Sequence, residues 1–410
     1  MKTFSTPSAH RIWLMSFIST MLLFTSIKCL ADDNQDSQFR NMEISLLTCS
    51  PHDEIYSLYG HTAIRCCDSI TGQDIVINYG VFSFDQPYFI PRFIFGLTDY
   101  CMGAYTMNQF LAEYSYYNCS VTQQVLNLTE SEKKAVMQAL ATNALPENVT
   151  YRYNFFHDNC TTRARDMITD HLGGKIDYNN EIDENITFRD MVHACTSNYP
   201  WNQFGIDLLL GMNADKPTMR SQQQFLPSNL MRDFSKATIL SDNKERPLVK
   251  HTFDVLQGGI QVEGEGFPIS PTSCFIILLT ITLIIIAVEQ KTLKMQWGYD
   301  LVMLLVCGLS GLVLTLMIFS HHPTVSLNLQ ILLLNPLHLF FVFPLCRNSH
   351  KGKDHWWWKA WFILCILFVL GVFFQKYAEG MLILALSLLL RIISHNILLR
   401  RKSKRLQKSR

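Results

Sequence analysis

The sequence lacks a strong net charge. Its 35 lysines and arginines almost balance 34 aspartates and glutamates, which leaves a formal charge of +1. This balance excludes a strongly basic nucleic-acid binder, because such proteins attract phosphate backbones through a surplus of cations. The chain also lacks internal repeats and low-complexity tracts. His157 and Cys195 lack the spacing of zinc ligands, so we expect no metal site and no cofactor.

Hydrophobic residues make up 48% of the chain, but they are unevenly distributed. One apolar segment, residues 12–27, follows a positively charged start and precedes Cys29-Leu30-Ala31, which resembles a signal-peptidase cleavage site. We therefore predict a signal peptide over residues 1–31. A lipidated Cys29 and an uncleaved anchor are the alternatives.

The C-terminal third contains apolar segments of about the length that crosses a bilayer. They cover residues 273–288, 299–319, 327–346, 358–374 and 381–399. Lysine and arginine concentrate in the first and third loops and in the tail. The positive-inside rule then puts the C-terminus in the cytoplasm and residues 32–270 outside.

Two groups of residues lie in or near these segments, and we interpret each group separately. A tryptophan cluster resembles an interfacial anchor: Trp356, Trp357, Trp358 and Trp361. Polar residues mark the second loop and the third span: His321, His322, Asn328, Asn335 and His338. Hydrogen bonding between helices is one interpretation of this polar set, and a lining for a lipid head group beneath the exported site is the other.

The exported part combines strand and helix signals. Alternating apolar residues predict strands over 43–48, 62–67, 74–81 and 121–128. A capping sequence at 129–132 predicts a helix over 133–140, and Asn159 or Asp158 is expected to cap a second helix over 160–172. The predicted domains are a catalytic domain over 32–240, a linker over 241–271, a transmembrane domain over 272–400 and a basic tail over 401–410.

One cysteine and one histidine suggest thiol chemistry. Cys160 falls at the first turn of the second predicted helix, where the helix dipole and free N–H groups favour a thiolate. His61, on a predicted strand, is the candidate general base. Asn78 is our first choice for orienting its ring, ahead of Asp74 and Asp158. The alternative is a disulfide-bonded Cys160 and an ordinary surface His61.

Cysteine content bears directly on this hypothesis. The exported part has an odd number of cysteines, so at least one stays free even where an oxidising compartment favours pairing. They are Cys49, Cys66, Cys67, Cys101, Cys119, Cys160 and Cys195. If Cys160 is the free thiol, up to three bridges remain.

Short strings around these residues resemble a known family. Residues 59–62 (Tyr-Gly-His-Thr), 78–82 (Asn-Tyr-Gly-Val-Phe) and 153–163, which contain Asn-Cys-Thr-Thr-Arg, resemble the periplasmic domain of the Bacteroides-type, Lnb-like lipoprotein N-acyltransferases. His-Pro at 322–323 and Asn-Pro-Leu at 335–337 extend the resemblance into the membrane segments. The order histidine, polar residue, cysteine is also similar to permuted papain-like enzymes of the NlpC/P60 and lecithin:retinol acyltransferase groups.

The resemblance implies an α+β permuted papain-like exported domain followed by an all-α five-helix transmembrane domain in a bacterial inner membrane. It implies that Cys160 takes an acyl chain from a membrane phospholipid as a thioester and passes it to the N-terminal amine of a diacylglyceryl lipoprotein. His61 is the implied catalytic partner, whereas the role of Asn78 is our own inference from the order of the strands. The expected substrate-binding residues are Tyr59, Tyr79, Asp158, Asn159, Arg163, His322 and Asn335.

Two other functions remain open from sequence. Papain-like folds also host cysteine amidases and peptidases, which here would act on cell-wall peptides. A non-catalytic membrane sensor, whose exported domain binds a partner, is the third hypothesis.

Overall fold

The computed structural model describes residues 36–54, 57–82, 87–88, 91–92, 95–241, 244–259 and 267–408. The predicted signal peptide, residues 1–31, lies outside this range. The described residues form two compact units. One lies within Met1–Asn185 and Thr218–Glu263, and the other comprises residues of Ile186–Pro217 and Gly264–Arg410.

Strands dominate the first unit, which we call the exported unit. They are β1 (Met42–Cys49), β2 (His61–Asp68), β3 (Asp74–Val81), β4 (Asp99–Thr106), β5 (Val121–Leu126), β6 (Thr150–Arg152), β7 (Lys175–Tyr178), β8 (Ala237–Ser241), β9 (Lys244–Pro247) and β10 (Val249–Leu256). Seven of them form an antiparallel sheet in the order β10-β5-β1-β2-β3-β4-β6. A small second sheet has the order β7-β8-β9.

Helices cover both faces of the large sheet. In chain order up to residue 240, the described α-helices are α1 (Met107–Tyr116), α2 (Glu130–Asn143), α3 (Cys160–Thr169), α4 (Phe188–Thr196), α5 (Pro200–Leu209), α6 (Arg220–Gln223) and α7 (Pro227–Lys236), of which α4 and α5 belong to the second unit. Ile64 and Ile77 of the sheet pack with Leu140 of α2 and Ile168 of α3. On the opposite face Ala63 packs with Phe110 of α1. Alternate residues of β2 thus serve two cores, as the two-residue period of a strand requires.

The predicted strands and helices of the exported part are found close to their predicted bounds. The predicted cap of the first helix is also found, because Thr129 accepts from the Glu132 amide and Glu132 accepts from the Thr129 amide. Residues 241–271, which we predicted as a linker, instead include β9 and β10. β10 pairs with β5 at the edge of the large sheet and leaves most of its side chains exposed, so its sequence lacks an apolar face.

The second unit, which we call the membrane unit, contains five helical segments long and apolar enough to cross a membrane, judged by length and composition. Its long helices are α8 (Pro271–Thr292), α9 (Trp297–Ile318), α10 (Leu337–His350), α11 (Trp357–Leu370) and α12 (Met381–Lys408). The third span begins with a short 3-10 turn, Leu329–Leu332, and α10 starts after Asn335-Pro336. Proline cannot donate a helical hydrogen bond, which explains the break.

A charged cluster lies buried among these helices. Arg391 of α12 donates from Nε to Asp300 of α9 over 2.6 Å and from Nη2 to Glu289 of α8 over 2.9 Å. Its Nη1 also donates to Glu289. All three side chains are at most 2% exposed, so the charges compensate one another inside the unit.

Helices α4 and α5 belong to the membrane unit, although the sequence put residues 186–217 within the catalytic domain. Arg189 of α4 is fully buried and donates to Asp207 of α5 over 2.6 Å and to Asp215 over 2.7 Å. Gln330 in turn donates to the Asp207 carbonyl oxygen over 2.8 Å. These long-range polar contacts join the segment to the membrane unit.

The tryptophan cluster differs from the predicted interfacial anchor. Trp357, Trp358 and Trp361 are at most 3% exposed and pack inside the membrane unit, and only Trp356 is exposed. The indole of Trp357 donates to Nδ1 of His338 over 3.0 Å. Three of the four indoles therefore build the core of the unit.

Candidate active site

Helix α3 begins at Cys160 because Asn159 caps it. The Oδ1 atom of Asn159 accepts from the amides of Thr161 and Thr162, each over 2.9 Å, and its own amide donates to the Thr162 hydroxyl. Nδ2 of Asn159 donates to the carbonyl oxygens of Phe155 and Phe225. Asn159, which we predicted as a substrate-binding residue, thus uses both polar side-chain atoms inside the protein. The Cys160 amide is left at the helix end, free of this capping interaction.

The sheet brings His61 and Asn78 together beside that thiol. His61 is the first residue of β2. Asn78 lies on the neighbouring β3, where it pairs with Ala63, two residues along the chain from His61. Nε2 of His61 hydrogen-bonds Oδ1 of Asn78. Because Nε2 is engaged in this way, Nδ1 is the ring nitrogen available to the Cys160 thiol, with which the ring interacts.

The electrostatics of this pair favour a thiolate. Burial raises the pKa of the Cys160 thiol, but the charge of the His61 ring and its hydrogen bond outweigh burial and lower that pKa to about 7. Burial lowers the pKa of His61, whereas the Cys160 charge and the Asn78 hydrogen bond raise it, and the net direction is upward. An anionic sulfur beside a cationic ring is the reactive state of papain-like thiols.

Two threonines that were not among the predicted site residues support the thiolate. The Thr161 hydroxyl lies 3.8 Å from the Cys160 sulfur and 3.2 Å from the Thr62 hydroxyl. The Thr62 amide also donates toward the sulfur. Their positions directly after the candidate histidine and the candidate cysteine were the available signal.

Two glycines allow close approaches of the backbone at the site. Gly80 has φ = +89°, and a Cβ added there would lie 3.7 Å from the Cys160 Cβ. Gly60 has φ = +76°, and an added Cβ would lie 2.6 Å from the Cys49 carbonyl oxygen. Both backbones adopt a conformation that glycine accepts at little cost, so the two residues fix the ends of the strands at the site.

Two cavities of the exported unit meet at His61. The first, which we call the thiol cavity, has a volume of about 110 Å³. It is lined by Tyr59, Gly60, His61, Tyr79, Gly80, Phe82, Tyr100, Tyr153, Phe155, Asn159, Cys160, Thr161, Phe225 and Pro227. The second, which we call the polar cleft, has about 570 Å³ and is lined by Ser50, His52, Ser57, Gly60, His61, Asn78, Tyr79, Gly80, Val81, Phe82, Tyr105, Glu113, Tyr114 and Tyr117.

The other predicted substrate residues of the exported unit differ in position. Tyr59 and Tyr79 line the thiol cavity, and the Tyr79 hydroxyl donates to Asn143 over 2.8 Å. Asp158 and Arg163 instead form a bidentate ion pair with each other, at 2.7 and 2.8 Å. The Arg163 guanidinium also lies 3.6 Å from the centre of the Tyr151 ring, so this pair braces the start of α3.

His322 and Asn335 lie in the membrane unit. His322 precedes the 3-10 turn Pro323–Val325, and Oδ1 of Asn335 accepts from the Leu337 amide at the start of α10. Asn328 of the same polar set donates to the Leu208 carbonyl oxygen over 2.7 Å. These observations give Asn335 and Asn328 a part in the fold of this unit, and substrate contact by His322 and Asn335 stays a prediction.

The described cysteines are all free thiols, so the disulfides that we expected in an oxidising compartment are not seen there. Their electrostatics set Cys160 apart. Burial raises the pKa of Cys66 to about 12 and that of Cys195 to about 11. Among the described residues, no group of three or more His, Cys, Asp or Glu side chains has the arrangement of a metal site.

Two family models match the chain. The Lnb N-terminal periplasmic domain matches residues 32–194, and the Lnb transmembrane domain matches residues 262–403. The chain belongs to the Lnb family. Membership indicates a membrane protein that modifies lipoproteins, with an N-terminal domain in the periplasm. Neither a curated protein nor a solved structure matches the chain.

The Lnb matches agree with the fold. The predicted architecture, an α+β exported domain followed by five transmembrane helices, is confirmed. The permuted papain-like order is present as well, since His61 on β2 and Asn78 on β3 precede Cys160 at the start of α3. Phe225 and Pro227, which line the thiol cavity, lie outside both matched segments.

Proposed function

We propose that this Lnb protein is a lipoprotein N-acyltransferase that works through a thioester on Cys160. The donor is a membrane phospholipid, and the acceptor is the α-amine of a diacylglyceryl-modified N-terminal cysteine of a lipoprotein. The observation that carries the proposal is the Cys160 thiol, with a pKa of about 7, beside His61 in an aromatic-lined cavity. The transmembrane domain supports lipids as both substrates, because partition into one bilayer concentrates them.

The first half-reaction acylates the enzyme. The Cys160 sulfur attacks the ester carbonyl carbon, and the Cys160 amide at the start of α3 is positioned to donate to the developing oxyanion. The C–O bond then breaks, and the His61 imidazolium gives its proton to the departing lysophospholipid oxygen. Asn78 holds the ring through Nε2, which keeps Nδ1 directed at the reacting atoms.

The second half-reaction releases the acyl group. The lipoprotein amine attacks the thioester carbonyl carbon, its surplus proton passes to His61, and the C–S bond breaks to restore the thiolate. The products are a triacylated lipoprotein and the free enzyme. The same residues are able to hydrolyse amides, and the Lnb transmembrane domain is what favours lipid substrates over cell-wall peptides.

The proposed location follows from the charge pattern and the family. A signal peptide over residues 1–31 exports the N-terminal domain, and the five spans lie in the bacterial inner membrane. The basic tail, residues 401–410, then lies in the cytoplasm.

The test is to trap the acyl-enzyme. Full-length protein in phospholipid nanodiscs receives a donor with a labelled acyl chain and no acceptor, and peptide mass spectrometry locates the label. We expect one acyl group on Cys160 that neutral hydroxylamine removes, and none in Cys160→Ala. Cys67→Ala is the matched control, because Cys67 is a partly exposed thiol of the same sheet. Label on another residue, or none at all, would contradict the proposal.

The lipoprotein product gives a second measurement. In cells that lack any other N-acyltransferase, the N-terminal peptide of a lipoprotein should carry three acyl chains with the wild-type protein and two with Cys160→Ala. Equal triacylation in both strains would contradict the proposal that Cys160 transfers the acyl group.

A further inference from the structure

The two cavities at His61 differ in their chemistry. Aromatic side chains dominate the thiol cavity, which holds the Cys160 sulfur. The polar cleft is about five times larger by volume, lacks the cysteine and instead exposes Ser57, His52 and Glu113. Gly60, His61, Tyr79, Gly80 and Phe82 line both spaces. One histidine ring therefore borders two spaces with different linings.

Glu113 brings an unpaired anion to the polar cleft. It lies on the exposed side of α1, and its carboxylate forms no ion pair with any cation among the described residues. Glu113 and His61 line the same cleft, and the negative charge of Glu113 contributes to raising the pKa of the His61 ring. A carboxylate in a cleft next to a general base fits a ligand that carries a primary ammonium group.

We propose that the polar cleft is the acceptor site, in which Glu113 binds the N-terminal ammonium of the incoming lipoprotein while the acyl group occupies the thiol cavity. The inference rests on the proposed function, since it divides that reaction between the two spaces. Glu113 is accordingly a substrate-binding residue for the second half-reaction.

Acid–base chemistry is consistent with this division. An α-ammonium group has a pKa of about 8, so a useful fraction is neutral at pH 7 without a further base. The ammonium first releases one proton to water. The neutral nitrogen then forms the N–C bond to the thioester carbonyl carbon, gives its second proton to His61, and the C–S bond breaks to restore the thiolate. Glu113 concentrates the ammonium form beside the ring and takes no part in the earlier step.

The experiment separates the two half-reactions in Glu113→Gln. Full-length protein in nanodiscs is acylated from labelled phospholipid, the donor is removed, and a synthetic diacylglyceryl lipopeptide is added. We expect acylation within about two-fold of wild type and transfer to subsaturating lipopeptide about five-fold slower, because an exposed ion pair contributes at most about a five-fold effect. Saturating lipopeptide should recover most of the rate. Glu147→Gln, an exposed glutamate that lines neither cavity, is the control.

Hydroxylamine provides the second arm, because it is a small neutral nucleophile with no need for a carboxylate. It should remove the acyl group equally fast from wild type and from Glu113→Gln. Equal lipopeptide transfer in the two proteins would overturn the acceptor site alone, and so would an equal slowing of acylation and transfer, which would mean that Glu113 acts through His61. Failure of wild type to form an acyl-enzyme would instead overturn the proposed function, and the acceptor site with it.

Discussion

Two polar clusters of this molecule, one in each unit, differ in how completely their polar groups are paired. In the membrane unit, Arg391 uses Nε, Nη1 and Nη2 on the carboxylates of Glu289 and Asp300, and all three residues are buried. In the exported unit, one ring nitrogen of His61 is hydrogen-bonded to Asn78, and Cys160 lines a cavity. A fully paired cluster has no capacity left for a ligand, so it holds helices together. A cluster with an open side beside a cavity is able to react.

The largest effect is expected when the cation of the open cluster is removed. In His61→Ala the Cys160 thiol stays largely buried but loses the ring that lowers the thiol pKa. The pKa of Cys160 should therefore rise from about 7 to above the ordinary value of a cysteine thiol. Because the thiolate is the reactive form, alkylation at pH 7 should slow markedly, and its pH midpoint should move upward. Acyl-enzyme formation should fall about 1,000-fold, as expected for loss of a general base.

Iodoacetamide kinetics at several pH values, read at the Cys160 peptide by mass spectrometry, measure that shift. The peptide with Cys67 serves as the internal reference and should be unchanged. A midpoint that stays near 7 in His61→Ala would show that the ring does not control the thiol.

Changes to the fully paired cluster of Arg391, Glu289 and Asp300 should alter the stability of the protein. Arg391→Met leaves Glu289 and Asp300 without their cation, and loss of one partner of a buried charged group costs about 3–5 kcal/mol. Thermal unfolding in detergent should show the loss. Neutralising the carboxylates as well, in Arg391→Met/Glu289→Gln/Asp300→Asn, should regain much of the stability. Equal unfolding temperatures for wild type and the single variant would contradict the structural role.

A smaller loss of acylation rate is expected when Asn78 is replaced. Asn78→Ala frees the His61 ring to rotate, and a misplaced catalytic group costs up to about 100-fold in rate. The variant also removes a hydrogen bond that raises the pKa of His61, so the imidazolium should lose its proton at lower pH. The descending limb of the acylation pH profile should therefore move to lower pH.

Asp74→Asn is the matched control for Asn78, since Asp74 lies on the same strand but pairs with Arg65 at 2.7 Å. It should leave both the rate and the pH profile near wild type. If Asn78→Ala lowers the rate but leaves the descending limb of the pH profile unmoved, Asn78 stabilises β3 and does not orient the His61 ring.

Much of the candidate site was predictable because it depends on local patterns. The strand that begins at His61, the strand with Asn78 and the capped helix at Cys160 each have a short sequence signal, and antiparallel pairing of adjacent strands brings the first two together. The two cavities were not predictable. They depend on side chains such as Phe225 and Glu113, which come from distant parts of the chain and carry no motif.

The failures of prediction have physical reasons of their own. An exposed edge strand such as β10 has no apolar face, so its sequence pattern is the same as that of a linker. Tryptophans suit a bilayer interface and a helix core equally, yet Trp358, Trp361, Cys365 and Phe368 recur at helical spacing and are all buried. That period was the available signal for a packed face. The attachment of α4 and α5 to the membrane unit depends on long-range pairs such as Arg189 with Asp207.

The capping role of Asn159 affects how relatives are recognised. Its side chain and that of Thr162 close the first turn whether or not a sulfur stands between them. A homologue that keeps the asparagine and threonines but has alanine at the position of Cys160 would start the same helix and, under the proposed mechanism, transfer no acyl group. Searches based on the flanking pattern will therefore collect inert copies together with enzymes, and the atom to check is the sulfur itself.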